Sequence, residues 1–253
     1  MRPSHISSAN ASADEGSSTS RRTLLRTAVA GTAAAGSVLA LGSAFPASAA
    51  QPAPATGPRP TTPEQALREL AAGNRRWRTR RQEHPDESPS TRLRLTKGQS
   101  PFAIVLGCVD SRVPPELVFD QGLGDLLTVR SAGEVLDEAV LGSVAYGVLE
   151  LAIPLVLVLG HQSCGAVGAA VHADETGERL PAHIQYLADQ IRPSIDRSRH
   201  GEARVRATID AHARSVRDRL AAEPDLARAV SAGKLAVAAA RYDLHDQRVN
   251  TLG

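Results

Sequence analysis

Apolar positions along this chain follow two different periods. Residues 102–107 (Phe-Ala-Ile-Val-Leu-Gly) and 155–160 (Leu-Val-Leu-Val-Leu-Gly) are near-continuous apolar runs with no polar alternation. Such runs predict strands buried on both faces, as in a parallel sheet. Residues 126–129 and 234–240 predict two further strands. Between the runs the period becomes helical. Val135, Val140, Val144, Val148 and Leu151 line one side of 134–151, which predicts a helix over that span. Thr62-Pro63-Glu64 opens another, with a capping residue, a proline and an early acid ahead of Leu67, Leu70 and Trp77. A short helix is expected at 115–119 and another from Gly165 to His172, and residues 181–230 read as helical and strongly charged. Strands alternating with helices specify an α/β fold: a mainly parallel central sheet flanked by helices, with a C-terminal edge strand.

The chemistry sits at the ends of the two strongest strands. Cys108 follows Gly107, His161 follows Gly160, and Cys164 comes three residues after that; these are the only two cysteines in the chain. Ligands of parallel sheets gather outside the carboxyl ends of the strands, so Cys108 and His161-x-x-Cys164 are expected to meet. Two thiolates and an imidazole suit Zn²⁺, with a fourth position left for water, as in catalytic zinc sites. Each half alone is weak, because a lone cysteine at a strand end is usually a small buried hydrophobe. A Cys108–Cys164 disulfide is the competing reading for an exported chain, but it gives no role to His161. The other histidines (His5, His84, His172, His183, His200, His212 and His245) lack ligand spacing and read as surface or satisfied groups. In Cys108-Val-Asp110-Ser111-Arg112, the acid and the guanidinium are close enough for a bidentate pair. An acid so held beside a zinc site can steer a proton.

Cys-x-Asp-Ser-Arg followed by His-x-x-Cys resembles the β-class carbonic anhydrases. The likeness runs from about Glu64 to the C-terminus and takes in Val-Pro-Pro-Glu116, Phe119-Asp-Gln-Gly122, Val129-Arg130, Gly160-His-Gln-Ser-Cys-Gly-Ala-Val167 and Arg241-Tyr-Asp-Leu. The resemblance implies reversible hydration of carbon dioxide to bicarbonate and a proton, on one zinc per chain held by Cys108, His161 and Cys164. It gives Asp110 two candidate roles: a fourth zinc ligand that closes the site, or the Arg112-oriented catalytic acid of an open one. It also implies that Val135 and Tyr146 line the CO₂ pocket and that the Gly165 amide meets the substrate or bicarbonate oxygen. Further implications are a homodimer or a tetramer of dimers, with N-terminal helices reaching across the dimer. Ser131 and Glu134 depart from the family pattern, where Asn is common, and His245-Asp-Gln-Arg248 lacks the usual Gly. Alternatives are a structural or sensor zinc protein of the same fold, a hydrolase of a related small molecule such as carbon disulfide, and a dithiol redox protein. The last is disfavoured by the missing Cys-x-x-Cys.

Export is written in the first 49 residues. Ser20-Arg21-Arg22-Thr-Leu24-Leu25-Arg26 matches a twin-arginine motif; an uncharged Ala/Gly-rich stretch and Pro46-Ala-Ser-Ala49 follow, as in a removed signal peptide. Retention as an anchor is the alternative. The precursor would engage the twin-arginine machinery, which carries folded proteins. Residues 50–62 read as a disordered linker and 63–253 as a single catalytic domain. The whole chain has a formal net charge of +2, and the first 49 residues hold four arginines and two acids, so the remainder is formally close to neutral. Nothing in it argues for nucleic acid. Roughly two hundred residues are enough for one sizeable core. With only 3% aromatic residues, that core rests on Ala, Val and Leu, and a dimer interface would add burial.

Overall fold

The computed structural model describes residues 59–253; the twin-arginine motif and the cleavage signature lie outside them. Among the described residues the helices are α1 (Pro63–Arg78), α2 (Pro89–Leu95), α3 (Pro115–Val118), α4 (Glu138–Leu149), α5 (Gly165–Thr176), α6 (Ala182–Ile191), α7 (Gly201–Ala222) and α8 (Pro224–Ser231). The strands are β1 (Ala103–Gly107), β2 (Leu126–Arg130), β3 (Leu155–His161), β4 (Ala236–Tyr242) and β5 (Val249–Leu252). They form one sheet in the order β2-β1-β3-β4-β5, parallel throughout except for the antiparallel β4–β5 pair. The fold is therefore the α/β arrangement expected, with a mostly parallel sheet between helices.

Every residue of β1 and β3 is buried because both faces of the sheet are covered. On one face Ile104, Leu106, Val156, Val158 and Ala239 pack with Val140, Val144 and Val148 of α4 and with Ala213, Val216 and Leu220 of α7. On the other, Val105, Leu155, Leu157, Leu159 and Ala240 meet Ala66 and Leu70 of α1, with Phe102 and Phe119. Alternation along each strand sends neighbours to opposite faces, so continuous apolar runs are what a doubly covered sheet requires.

Helix α1 starts where its sequence predicts. Thr62 and Gln65 form a reciprocal capping box, with Pro63 in the first turn. The helix packs Ala66 and Leu70 on its own chain's sheet. Asn74 ties it down, donating to the carbonyls of Val118 (3.1 Å) and Gln247 (3.0 Å) and accepting from the Val249 amide (3.0 Å).

Four expectations need correction. The helix expected over 134–151 begins only at Glu138, capped by Asp137, whose side chain accepts from the Val140 amide. Ahead of it, 132–134 is a 3₁₀ turn in which Gly133 (φ 67°) and Glu134 (φ 43°) are left-handed, a conformation that ends regular helix. The strand expected last, at 234–240, is the interior parallel β4, and the antiparallel edge belongs to β5. The linker expected over 50–62 contributes residues 59–62 to the fold, because Arg59 donates to the carbonyls of Ser100 and Gly124 and pairs with Asp125 at 2.8 Å. Finally, α2 lay in a stretch for which no element was expected.

Candidate metal centre

In a sheet ordered β2-β1-β3-β4, the chain leaves β1 and β3 in opposite lateral directions, which opens a crevice at their carboxyl ends. Cys108 follows β1, His161 ends β3, and Cys164 is the cap of α5. The turn between them is sharp: Ser163 takes a left-handed φ of 55°. It is anchored sideways by Gln162, whose amide donates to the Tyr242 carbonyl (2.8 Å) and whose side-chain oxygen accepts from the Leu244 amide (2.9 Å). The Cys108 loop is held by Arg130 at the end of β2, which donates to the carbonyls of Cys108 (2.9 Å) and Asp110 (2.7 Å).

The ligand atoms of Cys108, His161 and Cys164 lie within 4.8 Å of one another, and all three residues are buried. His161 Nδ1–H donates to the Gln162 carbonyl at 2.9 Å, which fixes the tautomer and leaves Nε2 as the free electron pair. That Nε2 is buried without a hydrogen-bond partner, an arrangement that costs free energy unless something electrophilic meets it. Both cysteines are free, so the disulfide reading does not describe this structure. Their sulfurs are 3.9 Å apart, close to the ~3.8 Å edge of a tetrahedron with Zn–S of about 2.3 Å. The thiols divide one charge between them. The hydrogen bond from Cys164 draws Cys108 down, aided by His161 and the amides of Gly133 and Asp110, while the same bond and burial push Cys164 up. Ionising both at once calls for a cation. Donor set, spacing and orphaned nitrogen all fit a divalent metal of the zinc type.

Asp110 lies beside this cluster but not in it. Its Oδ2 is 3.8 Å from His161 Nε2. Arg112 grips it as a fork, Nε to Oδ1 at 2.9 Å and a terminal nitrogen to Oδ2 at 2.7 Å, and the Arg112 amide adds a third bond to Oδ1 at 2.9 Å. These bonds hold its carboxyl well below the usual carboxylate range.

A family model described as carbonic anhydrase matches residues 103–249. Carbonic anhydrase 2 of Mycobacterium tuberculosis is 40% identical over 188 residues, covering 74% of this chain and 91% of that protein. The chain belongs to the carbonic anhydrase family. A carbonic anhydrase of Mycolicibacterium smegmatis is likewise 40% identical over 189 residues, covering 74% and 92% of the two chains. Among solved structures, a tetrameric β-carbonic anhydrase of Sordaria macrospora superposes with a TM-score of 0.60 at 19% identity over 74% of this chain and 96% of that one. The β-carbonic anhydrase of Coccomyxa gives 0.57 at 22% identity over 74% and 86%. At those identities the likeness is one of fold, and the fold is the β-class one.

Of the residues the family resemblance assigns to substrate, Val135 is buried and packs in one cluster with Cys108, Cys164, Val167 and Ile209. Gly165 is exposed at the first position of α5, with no atom within 4 Å of where a Cβ would stand. Tyr146 is not brought to the cluster within one chain; it is half exposed on α4, while Val144 and Val148 face the sheet. Three residues beside the site carried no role in the sequence reading. Arg130 could have been suspected from its place at a strand's carboxyl end. Glu134 and His212 gave no usable signal, because long-range packing alone brings them here. Glu134 is fully buried, and burial, with the Cys108 charge, pushes its carboxyl well above the usual range. A Cβ at Gly160 would stand 3.1 Å from Glu134 Oε1 and 3.3 Å from Ile209, so glycine is what lets the turn and α7 close over β3.

Proposed function

We propose that this chain is a zinc-dependent enzyme that interconverts carbon dioxide and bicarbonate, with Cys108, His161 and Cys164 holding one zinc ion per chain. The observation that carries the reading is the buried convergence of two thiols and an unpartnered imidazole nitrogen at the sheet's crevice, in a chain of the carbonic anhydrase family. When bound, zinc acts as a Lewis acid that makes water a nucleophile near neutral pH by bringing its pKa towards about 7. The protein's own part is orientation and proton placement. Arg112 keeps Asp110 ionised and turns Oδ2 towards the point where the ligand atoms converge, so Asp110 is an acceptor for a proton-bearing nucleophile there. In this reading Asp110 is a catalytic residue of an open site, since both its oxygens are engaged by Arg112. Val135, Val167 and Ile209 give the site an apolar wall, suited to an uncharged gas with no hydrogen-bonding handle, and the Gly165 amide at the opening of α5 is free to meet a bicarbonate oxygen.

Metal analysis and a stopped-flow CO₂ hydration assay test this together. We expect one zinc per chain, and loss of metal and activity together in Cys108→Ser and in Cys164→Ser. A zinc-loaded, fully active Cys164→Ser protein would overturn the ligand set, and a zinc-loaded wild type without hydration would overturn the reaction.

We further propose that the enzyme self-associates and is exported. Support for self-association comes from apolar side chains left in solvent, among them Val109 next to the site and Tyr146 and Leu149 on α4. Sedimentation of the wild type should give a dimer or larger, and Leu149→Glu should weaken it; a monomeric wild type would refute this. Support for export is the twin-arginine motif and the cleavage signature.

A further inference from the structure

One step behind Cys108 lies a second layer of polar contacts. His212 is on α7 and only 2% exposed. Its Nε2–H donates to the Gly133 carbonyl at 2.9 Å. The amide of the same Gly133 donates to Cys108 Sγ at 3.2 Å. Gly133 thus joins a buried histidine to a ligand sulfur, and its left-handed backbone (φ 67°, ψ 31°) sets the angle between the two bonds. The turn is closed from its other sides as well. A Cβ at Gly133 would stand 3.0 Å from Ile191 and 3.1 Å from Ala166. Ser131 donates to the Val135 carbonyl at 2.7 Å.

We propose that His212 is a positioning residue for the metal centre, holding Gly133 so that its amide meets the Cys108 sulfur. An amide hydrogen bond to a ligating thiolate withdraws charge from the sulfur and fixes its direction, the ordinary work of groups one step behind a metal ligand. A residue serving only to fill the core would be better apolar here, because burying an imidazole costs free energy that a leucine or phenylalanine avoids. Burial pulls the imidazole down to about 4, so His212 is a neutral donor at neutral pH and adds no charge behind the thiolates. The inference rests on the reading of Cys108 as a ligand.

The test uses the full-length protein, stripped of metal and titrated with Co²⁺, then with Zn²⁺ against a chromophoric chelator. Wild type should bind one Co²⁺ and show a cysteine-to-cobalt charge-transfer band. His212→Phe should lower affinity about 10- to 100-fold and shift that band, while His212→Gln, whose amide can reach the same carbonyl, should restore both. Thermal unfolding of the metal-free variants separates this from a merely structural role, which would lower stability without moving the band. If His212→Phe does not fold, His212→Asn serves instead, since its shorter amide cannot reach Gly133 and the same loss is expected. Wild-type affinity and an unshifted band in whichever variant folds would overturn the proposal, as would failure of His212→Gln to restore them. A wild type that binds no Co²⁺ would sink the metal reading itself, a different and distinguishable result.

Discussion

Asp110 is a carboxylate whose two oxygens are both engaged by one guanidinium, and the pair decides what the acid can do next. Charge-assisted forks of this kind are roughly twice as strong as neutral hydrogen bonds, and here the backbone amide of Arg112 adds a further contact. Removing the guanidinium frees Asp110 to swing towards the metal cluster, where His161 Nε2 is 3.8 Å away. We therefore predict that Arg112→Ala keeps its zinc but loses at least about tenfold in CO₂ hydration. Arg112→Lys, which restores charge without the fork, should fall between the two. Full activity in Arg112→Ala would show that the pair is not used. The pair also has a pH signature. A carboxyl held below its unfolded value of about 3.9 contributes stability that is complete above that value and is lost as pH falls through the folded one. The stability gap between wild type and Arg112→Ala should thus be constant near neutrality and close only in strong acid.

At the scale of elements, two glycines on helices make opposite predictions. Gly73 of α1 passes so close to α3 that an added Cβ would stand 1.7 Å from the Phe119 carbonyl oxygen. Gly142 of α4 has nothing within 4 Å. Alanine raises intrinsic helix stability by about 0.5–1 kcal/mol at either place. At Gly73 a backbone clash outweighs this, since overpacking typically costs about 1–3 kcal/mol. Gly73→Ala should lower the melting temperature by a few degrees, on the scale of roughly 2–4 °C per kcal/mol, and Gly142→Ala should leave it unchanged or raise it. The reverse order would mean that α1 does not sit on its own sheet. What the sequence made legible at this scale follows the strength of local signals. β1 and β3 are unbroken apolar runs, and α1 carries its own capping box. By contrast, β5 is four residues long with Asn250 and Thr251 inside it, and α2 is the polar PSTRLRL, so neither announces itself. The start of α4 was missed because Glu134 adopts a positive φ that no residue type advertises. The three ligands were legible because Cys108 directly follows a strand, His161 ends one and Cys164 comes three residues later, whereas His212 reaches Gly133 only through the packing of α7 on β3.

At the scale of the whole molecule, the buried dithiol bears on the export we propose. Two free sulfurs 3.9 Å apart are stable as thiolates while a cation holds them, but in an oxidising compartment bare thiols at that distance can join as a disulfide. A path that carries a finished protein keeps the metal in place, whereas a path that threads an unfolded chain delivers the cysteines empty. The reading of Ser20-Arg21-Arg22 as a twin-arginine motif thus has a chemical reason within the same chain. Replacing Arg21 and Arg22 with Lys should leave the precursor in the cytoplasm, zinc-loaded and active. Swapping the first 49 residues for a general secretory signal should export the chain but yield less zinc and a larger share of Cys108–Cys164 disulfide. Both are measured by fractionation, metal content and thiol titration of the exported protein. Export that survives the double Lys variant would refute the twin-arginine route. Full zinc content after general secretion would refute the claim that the dithiol requires it.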